Sequence, residues 1–388
     1  MFSSYSKNKK KKLNVGLIFS YNSSLDLWKK NGSISREIKP YILLSKNCKI
    51  KYKFLTYDKL LKKKNIFKKH FIDIFPVYSK FKYFNNKIIR FLLSFIYPFF
   101  IKKYFKDIDV IKTNQMWGSW VGVILKFLLK KPLIIRCGYE IYRNELILNK
   151  NITKKIFYKY LSKLTYFYAD QILVTTTSIR NFIINNFNIS KSKILIQKNW
   201  IDTNKFKPSF SNNNLCIYVG RLSEEKNLID LLNIIKGTKL KLNIYGEGPQ
   251  KKYLQENIGL NNKQIYMHGT IQNDKLPSVM RKHKIFFLIS KYEGQPKSLL
   301  EAMSCGLIVI GKNSLGIKDI IRHKKNGYLL KSDYSNLKEI SNLIFCKKKN
   351  NLKLRNQARK YVLKNHSLHK FLKIENNVYK KVLNVNNF

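Results

Sequence analysis

The chain has 388 residues, 44% hydrophobic and 14% aromatic, which suits two cores of ordinary size and excludes a disordered protein. Its 76 basic residues, only 10 of them Arg, face 22 acidic ones, for a formal net charge of +54. That balance points to an anionic partner, nucleic acid or an anionic membrane, or to compositional drift toward Lys, Asn and Ile.

The charge is uneven: residues 1–205 carry a net +32 and residues 206–388 a net +22. Five cysteines, Cys48, Cys137, Cys216, Cys305 and Cys346, stand singly. Neither a disulfide framework nor a cysteine zinc site is indicated, and a reducing, cytoplasmic setting is expected. No stretch reads as a signal peptide. The greasiest run, "IIRFLLSFIYPFF" (88–100), is too short to span a bilayer and contains Arg90 and Pro98.

In chain order, "LNVGLIFS" (13–20) reads as a buried strand. Gly32 then makes a tight turn, and Ser33 can cap a helix bearing Ile34, Ile38 and Tyr41, with a kink or early stop expected at Pro40. Strands follow at 50–57, 109–115, 132–138 and 171–177, with helical segments between, including 153–168. This alternation implies a parallel sheet covered on both faces.

The pattern restarts after a Pro/Ser/Asn-rich linker, "NKFKPSFSNNN" (204–214). A strand then a loop is expected over 214–223, a strand then a turn over 240–249, and strands at 263–270, 284–290 and 306–312, with a helix at 226–237 ended by Gly237. The expected division is a domain at 1–205, a second at 206–365, and a terminal helix at 366–388 packing back toward the first. Two doubly wound domains place a cleft between two sets of strand carboxyl ends, where such sheets bind ligands.

Several polar motifs follow strands of the second domain. "YVGRLSEEKN" supplies Gly220, Arg221 and Lys226; "YGEGPQ" supplies Gly246 and Gly248; "SKYEGQPKSLLEA" supplies Glu293, Gly294 and a helix start, with Pro296 suited to the first turn. Helix N-terminal amides, Arg and Lys attract a diphosphate. Glu293 can accept hydroxyls at the loop tip, and Glu301, eight residues on, can take a ribose diol.

These motifs in this order resemble the retaining glycosyltransferases of family 4 (glycosyl transferases group 1), which have the GT-B fold of two Rossmann-like domains facing across a cleft. The resemblance covers the second domain, with weaker echoes in "NGSISREI", "DVI" and "NWIDTNKFKP". It implies that Arg221 and Lys226 bind the donor diphosphate, Glu293 contacts the transferred sugar, and Glu301 contacts the ribose. The implied donor set is completed by Gly220, Gly246, Gly248, Gly294, Gln295, Pro296, Lys297 and Ser298. Gly32, Arg136, Gly138, Tyr139 and Glu140 are candidates for the acceptor side. The chain departs from the family where the first loop's glycines shrink to Gly32–Ser33. Trp200 stands where Asn-Gly is common, and "RCGYE" (136–140) stands where a histidine is common.

The expected partners are a nucleotide-sugar donor and a glycan or lipid-linked acceptor, in cell-surface polysaccharide or glycolipid synthesis. No cofactor and no metal is expected; "DID" (107–109) precedes a strand, and Asp107 and Asp109 read as strand-entry residues. The rival readings are a glycoside hydrolase built on two carboxylates, and a non-catalytic nucleic-acid-binding protein, which would lack any recognised motif here. Residues 80–106 carry seven basic side chains and no acid among aromatic and aliphatic ones. They are a candidate interfacial helix for the inner face of an anionic membrane, with domain core the competing reading.

Overall fold

A computed structural model describes residues 12–59, 67–148, 151–211, 213–259, 262–346 and 348–385. Short apolar runs become parallel strands buried on both faces, a pattern that requires helices above and below each sheet. The first sheet contains β1 (Asn14–Ile18), β2 (Lys51–Thr56), β3 (Ile72–Pro76), β4 (Val110–Thr113), β5 (Leu133–Cys137), β6 (Gln171–Val174) and β7 (Ile194–Ile196), ordered β3-β2-β1-β4-β5-β6-β7. The second contains β8 (Leu215–Val219), β9 (Lys241–Tyr245), β10 (Ile265–Met267), β11 (Ile285–Leu288), β12 (Ile308–Lys312) and β13 (Tyr328–Leu330), ordered β10-β9-β8-β11-β12-β13. Each order reverses beside its first strand, at β1/β4 and β8/β11, which opens a crevice at the carboxyl ends of those strands.

Three strands, β3, β7 and β13, lie outside the sequence expectation; all are sheet edges. The helix after Gly32 runs as Ile34–Cys48 and does not stop at Pro40. Burial of Ile38, Pro40, Tyr41 and Leu44 offsets the backbone bond that proline removes. Ser33 does not cap it through its side chain; its hydroxyl donates to Trp28 O instead. Pro296 stands one position earlier than expected, at the N-cap of helix Lys297–Ser304. The stretch around 88–100 is helix Lys87–Ile101, and the expected helix at 153–168 is Ile152–Tyr168. Among the described residues no helix is long and apolar enough to cross a membrane.

The linker 204–214 is clamped along its described residues rather than loose. Arg359 donates to Thr203 O at 2.8 Å and to Phe206 O, and Arg355 donates to Ser209 O and Ser211 O, both at 3.2 Å. The chain crosses between domains a second time beside it, where Ile201 N donates to His366 O at 2.7 Å and Leu368 N to Ile201 O at 3.2 Å. Helix Leu368–Val385 then lies on the first domain, with Val378, Tyr379 and Val382 in that domain's core.

That helix is fastened by a fully buried carboxylate. Glu375 Oε1 accepts from Lys112 of β4 and from Tyr379 Oη at 2.6 Å, while Oε2 accepts from Gln197 Nε2 at 2.7 Å. Burial alone would raise the Glu375 carboxyl, but Lys112 reverses this and holds it below its ordinary value. Removing one member strands a buried charge, so Glu375→Ala is expected to cost about 3–5 kcal/mol in urea unfolding. Lys112→Met combined with Glu375→Leu is expected to lose much less than the two single changes added together. Additive losses would show that the pair is uncoupled.

Candidate active site

The facing carboxyl edges of the two sheets enclose a cleft of about 870 Å³. Its floor in the second domain is two stacked loops. Gly220 N donates to Tyr245 O at 3.0 Å, and Leu222 N to Glu247 O at 3.0 Å. Gly246 adopts φ +153°, and a Cβ there would fall 1.8 Å from Gly220 O; one on Gly248 would fall 2.2 Å from Leu222 O. Only glycine allows these backbones to meet so closely.

Lys226 ends a short 3₁₀ turn, Glu224–Lys226, that follows the β8 loop, and its ammonium donates to Glu293 Oε1 at 2.7 Å. Ser290 Oγ donates to the same oxygen at 2.7 Å. Arg221 lines the cleft, is exposed, and has no side-chain partner among the described residues. The structure thus brings three expected residues to one wall, one of them a cation with no partner among the described residues.

Glu301, on helix Lys297–Ser304, is only 1% exposed. Its Oε1 accepts from Asn273 Nδ2 at 3.0 Å and from Arg36 Nη1 at 3.2 Å; its Oε2 is buried with no protein partner. A buried acceptor left without a donor is costly, and a ligand hydroxyl would satisfy it.

Arg36 belongs to the first domain, so Glu301 is bridged across the cleft. The bridge continues: Arg36 Nε donates to Glu37 Oε1 at 2.9 Å, and Lys297 Nζ donates to both Glu37 oxygens at 2.8 and 2.9 Å. Burial would raise the Glu37 carboxyl, but Lys297 and Arg36 outweigh it and hold the group down at about 2. Burial also pushes the Lys297 ammonium down, against the pull of Glu37. Nearby, Gly32 adopts φ +67° and its carbonyl accepts from Asn273 N at 2.8 Å. Pro296 and Ser298 line the same cleft.

Gly294 and Gln295 face elsewhere. They line a second cavity of about 220 Å³ under the cleft, with Arg136, Gly138 and Tyr139. A Cβ on Gly294 would lie 2.1 Å from Gly138 O, so the two domains touch backbone to backbone there. Gln295 Oε1 accepts from Asn199 N, Asn199 Nδ2 donates to Gln295 O at 2.7 Å, and Gln295 Nε2 donates to Thr175 O at 3.2 Å. Gln295 is therefore spent on the domain junction. Arg136 is tied down as well, donating to Gln197 Oε1 at 2.5 Å and Asn199 Oδ1 at 2.8 Å. Tyr139 Oη donates to Tyr292 Oη of the second domain at 3.0 Å.

Glu140 lines neither cavity. It accepts from Arg143 N at 2.6 Å and Ser162 Oγ at 2.8 Å, closing the start of helix Ile141–Leu148, and burial pushes its carboxyl up. The "DID" carboxylates are likewise engaged: Asp107 pairs with Lys53 at 2.5 Å, and Asp109 Oδ2 accepts from Asn14 N at 2.9 Å, at the β4 end away from the cleft. Arg36, Glu37, Asn199 and Asn273 escaped the sequence reading. The first two sit inside "NGSISREI", and their partners in the second domain lie 260 or more residues away.

Two all-parallel Rossmann-like sheets closing on a cleft of this kind define the GT-B class. The family model for glycosyl transferases group 1 matches residues 201–365. An uncharacterized glycosyltransferase of Methanocaldococcus jannaschii is 26% identical over 337 residues, 80% of this chain and 83% of its own. An undecaprenol-linked glycan alpha-1,4-N-acetyl-D-galactosaminyltransferase of Campylobacter jejuni is 26% identical over 219 residues, 54% of this chain and 57% of its own. The solved structure of Anabaena HepE with UDP-glucose superposes with TM-score 0.74 at 16% identity, covering 95% of this chain and 100% of that one. Sucrose-phosphate synthase from Thermosynechococcus elongatus gives 0.80 at 15% identity, covering 96% and 100%. Residues 201–365 thus match the glycosyl transferases group 1, and the chain has the GT-B fold.

The Glu37 bridge makes a pH-dependent prediction. A carboxylate depressed to about 2 from an unfolded value of about 4.3 stabilises the fold above the unfolded value and loses that contribution as pH falls through the folded one. Glu37→Gln is expected to destabilise by roughly 1–3 kcal/mol near neutral pH. The gap from the parent should shrink between about pH 4 and pH 2, read from urea unfolding across that range. A gap that stays constant would refute the bridge.

Proposed function

We propose that the protein is a retaining hexosyltransferase of family 4. It would move a sugar from a nucleotide-sugar to a glycan or lipid-linked acceptor in cell-surface polysaccharide or glycolipid synthesis, at the cytoplasmic side of a membrane. The carrying observation is the polarity of the cleft. Arg221 offers an unengaged cation on one wall, Glu293 is oriented by Lys226, and Glu301 offers a free acceptor oxygen on the helix beyond. A nucleoside diphosphate sugar presents the matching groups in order: sugar hydroxyls to Glu293, diphosphate to Arg221 and Lys226, ribose hydroxyl to Glu301 Oε2. The Anabaena neighbour holds UDP-glucose, and the Campylobacter relative acts on an undecaprenol-linked glycan, which supports this donor and acceptor class.

In transfer, the bond from the anomeric carbon to the diphosphate oxygen breaks, the bond to the acceptor hydroxyl oxygen forms, and that hydroxyl's proton passes to the departing diphosphate. Negative charge gathers on the departing diphosphate. Arg221 and Lys226 stabilise that charge, and the closed cleft holds the reactants in place. A glycoside hydrolase needs one carboxyl held protonated as general acid. The cleft carboxylates Glu37, Glu247, Glu293 and Glu301 each have a cationic partner, in Lys297, Lys251, Lys226 and Arg36, which counts against hydrolysis.

Arg221→Ala and Glu293→Ala are each expected to reduce transfer by about a hundredfold or more with the melting temperature unchanged. Near-parental transfer by either purified variant would overturn the site assignment. A thermal-shift comparison of UDP, GDP, ADP and CMP should find stabilisation by one nucleoside diphosphate. Stabilisation by DNA alone, lost steeply with salt, would favour the nucleic-acid reading instead.

The diphosphate partners are cationic side chains and the "DID" carboxylates are engaged elsewhere, so transfer is expected to survive EDTA. Loss on chelation, restored by magnesium or manganese, would contradict a metal-independent reaction.

A further inference from the structure

Half of the exposed large hydrophobic side chains among the described residues lie on two helices of the first domain. On Lys87–Ile101 the solvent side carries Ile88, Leu92, Ile96 and Phe100, each four residues from the last. On Ile152–Tyr168 it carries Ile152, Ile156, Tyr160 and Leu164, with the same interval. Four-residue spacing makes each set one continuous stripe. The reverse faces are the packed ones, through Ser94, Tyr97 and Ile101 on the first helix and Ser162, Thr165 and Tyr166 on the second.

The helices form one bank. Phe91 meets Phe157 with ring centroids 6.0 Å apart, and Trp117 meets Tyr158 at 5.8 Å. Lysines edge the stripes: Lys155, Lys159 and Lys163 run beside Ile156, Tyr160 and Leu164, and Lys102 and Lys103 follow the first helix. Neither helix contains an acidic residue. Lys102, Lys103, Lys159 and Lys163 have no carboxylate partner among the described residues.

We propose that this two-helix bank docks flat on an anionic lipid bilayer and brings the cleft mouth to its surface. Apolar stripes with cationic edges match a layer whose headgroups are anionic and whose interior is apolar. A second copy of the chain would set lysine edge against lysine edge. The bank also adjoins the cleft wall: Trp117 follows the cleft-lining Gln115 by two residues, and its carbonyl accepts from Tyr21 N at 3.1 Å, next to cleft-lining Ser20. Delivery of an amphiphilic acceptor from the bilayer rests on the transferase reading above; the docking itself does not.

The test is flotation of the intact protein with vesicles of phosphatidylcholine, alone or mixed with phosphatidylglycerol, without donor. Recovery is expected with the mixed vesicles only, and weakened by salt. Lys102→Gln/Lys103→Gln and Lys159→Gln/Lys163→Gln should each weaken binding by about fivefold per lysine. Leu92→Asp with Leu164→Asp, both exposed positions, should abolish it while leaving the circular dichroism and the nucleotide thermal shift intact. Lys353→Gln/Lys360→Gln, in the basic groove of the second domain, should change nothing. Equal recovery on neutral vesicles, no recovery on either, or equal weakening by the groove variant would overturn the proposal. So would a solution dimer dissolved by the aspartate variant. Vesicle binding without any nucleotide-induced shift would instead leave the docking face standing and remove the donor assignment.

Discussion

The structure turns on one buried carboxylate. Glu375 reaches from the last helix to Lys112 in the first sheet and to Gln197 at the start of the crossing segment. Gln197 also receives Arg136, whose other arm holds Asn199, and Asn199 holds Gln295 in the loop that carries Glu293. A charge placed in the core of one domain thus sets, through four polar contacts, where the other domain presents its motif. Buried polar groups bonded on every side tolerate little displacement, which makes such a chain a register device as well as a fastening.

The cleft that results is balanced in charge, although the molecule is not. Its lining has four cations, Arg36, Arg221, Lys226 and Lys297, and four carboxylates, Glu37, Glu247, Glu293 and Glu301. The groove beside helix Lys348–His366 has six cations and no acid. The large positive charge is therefore carried outside the cleft, and the unengaged Arg221 matters because most charges around it are matched. The Arg36–Glu301 and Glu37–Lys297 bridges close the two walls on each other through the protein's own ions, beside the Glu301 oxygen that has no protein donor.

The central strands could be read in the sequence because an apolar run buried on both faces has few other uses. β3 and β13 could not: β3 includes Asp73 and Pro76, β13 has three residues, and edge strands need less apolar surface. Glu293, Lys226, Arg221 and Glu301 share a cleft, as strand-end motifs in parallel sheets should. Glu140 is the instructive contrast. A carboxylate after a strand can face the cleft or turn back to its own helix, and the neighbouring letters do not distinguish the two. Arg36 marks a different limit. Its role depends on a partner 265 residues distant, and no local periodicity encodes that meeting.

The last helix belongs by contact to the first domain, and this orders events during synthesis. While the chain is growing, Lys112 has no counter-charge and the surface awaiting Val378, Tyr379 and Val382 is open to water. The first domain is thus sealed only after the whole second domain has left the ribosome. Residues 1–205 alone should behave as an unfinished half, exposed and prone to aggregate.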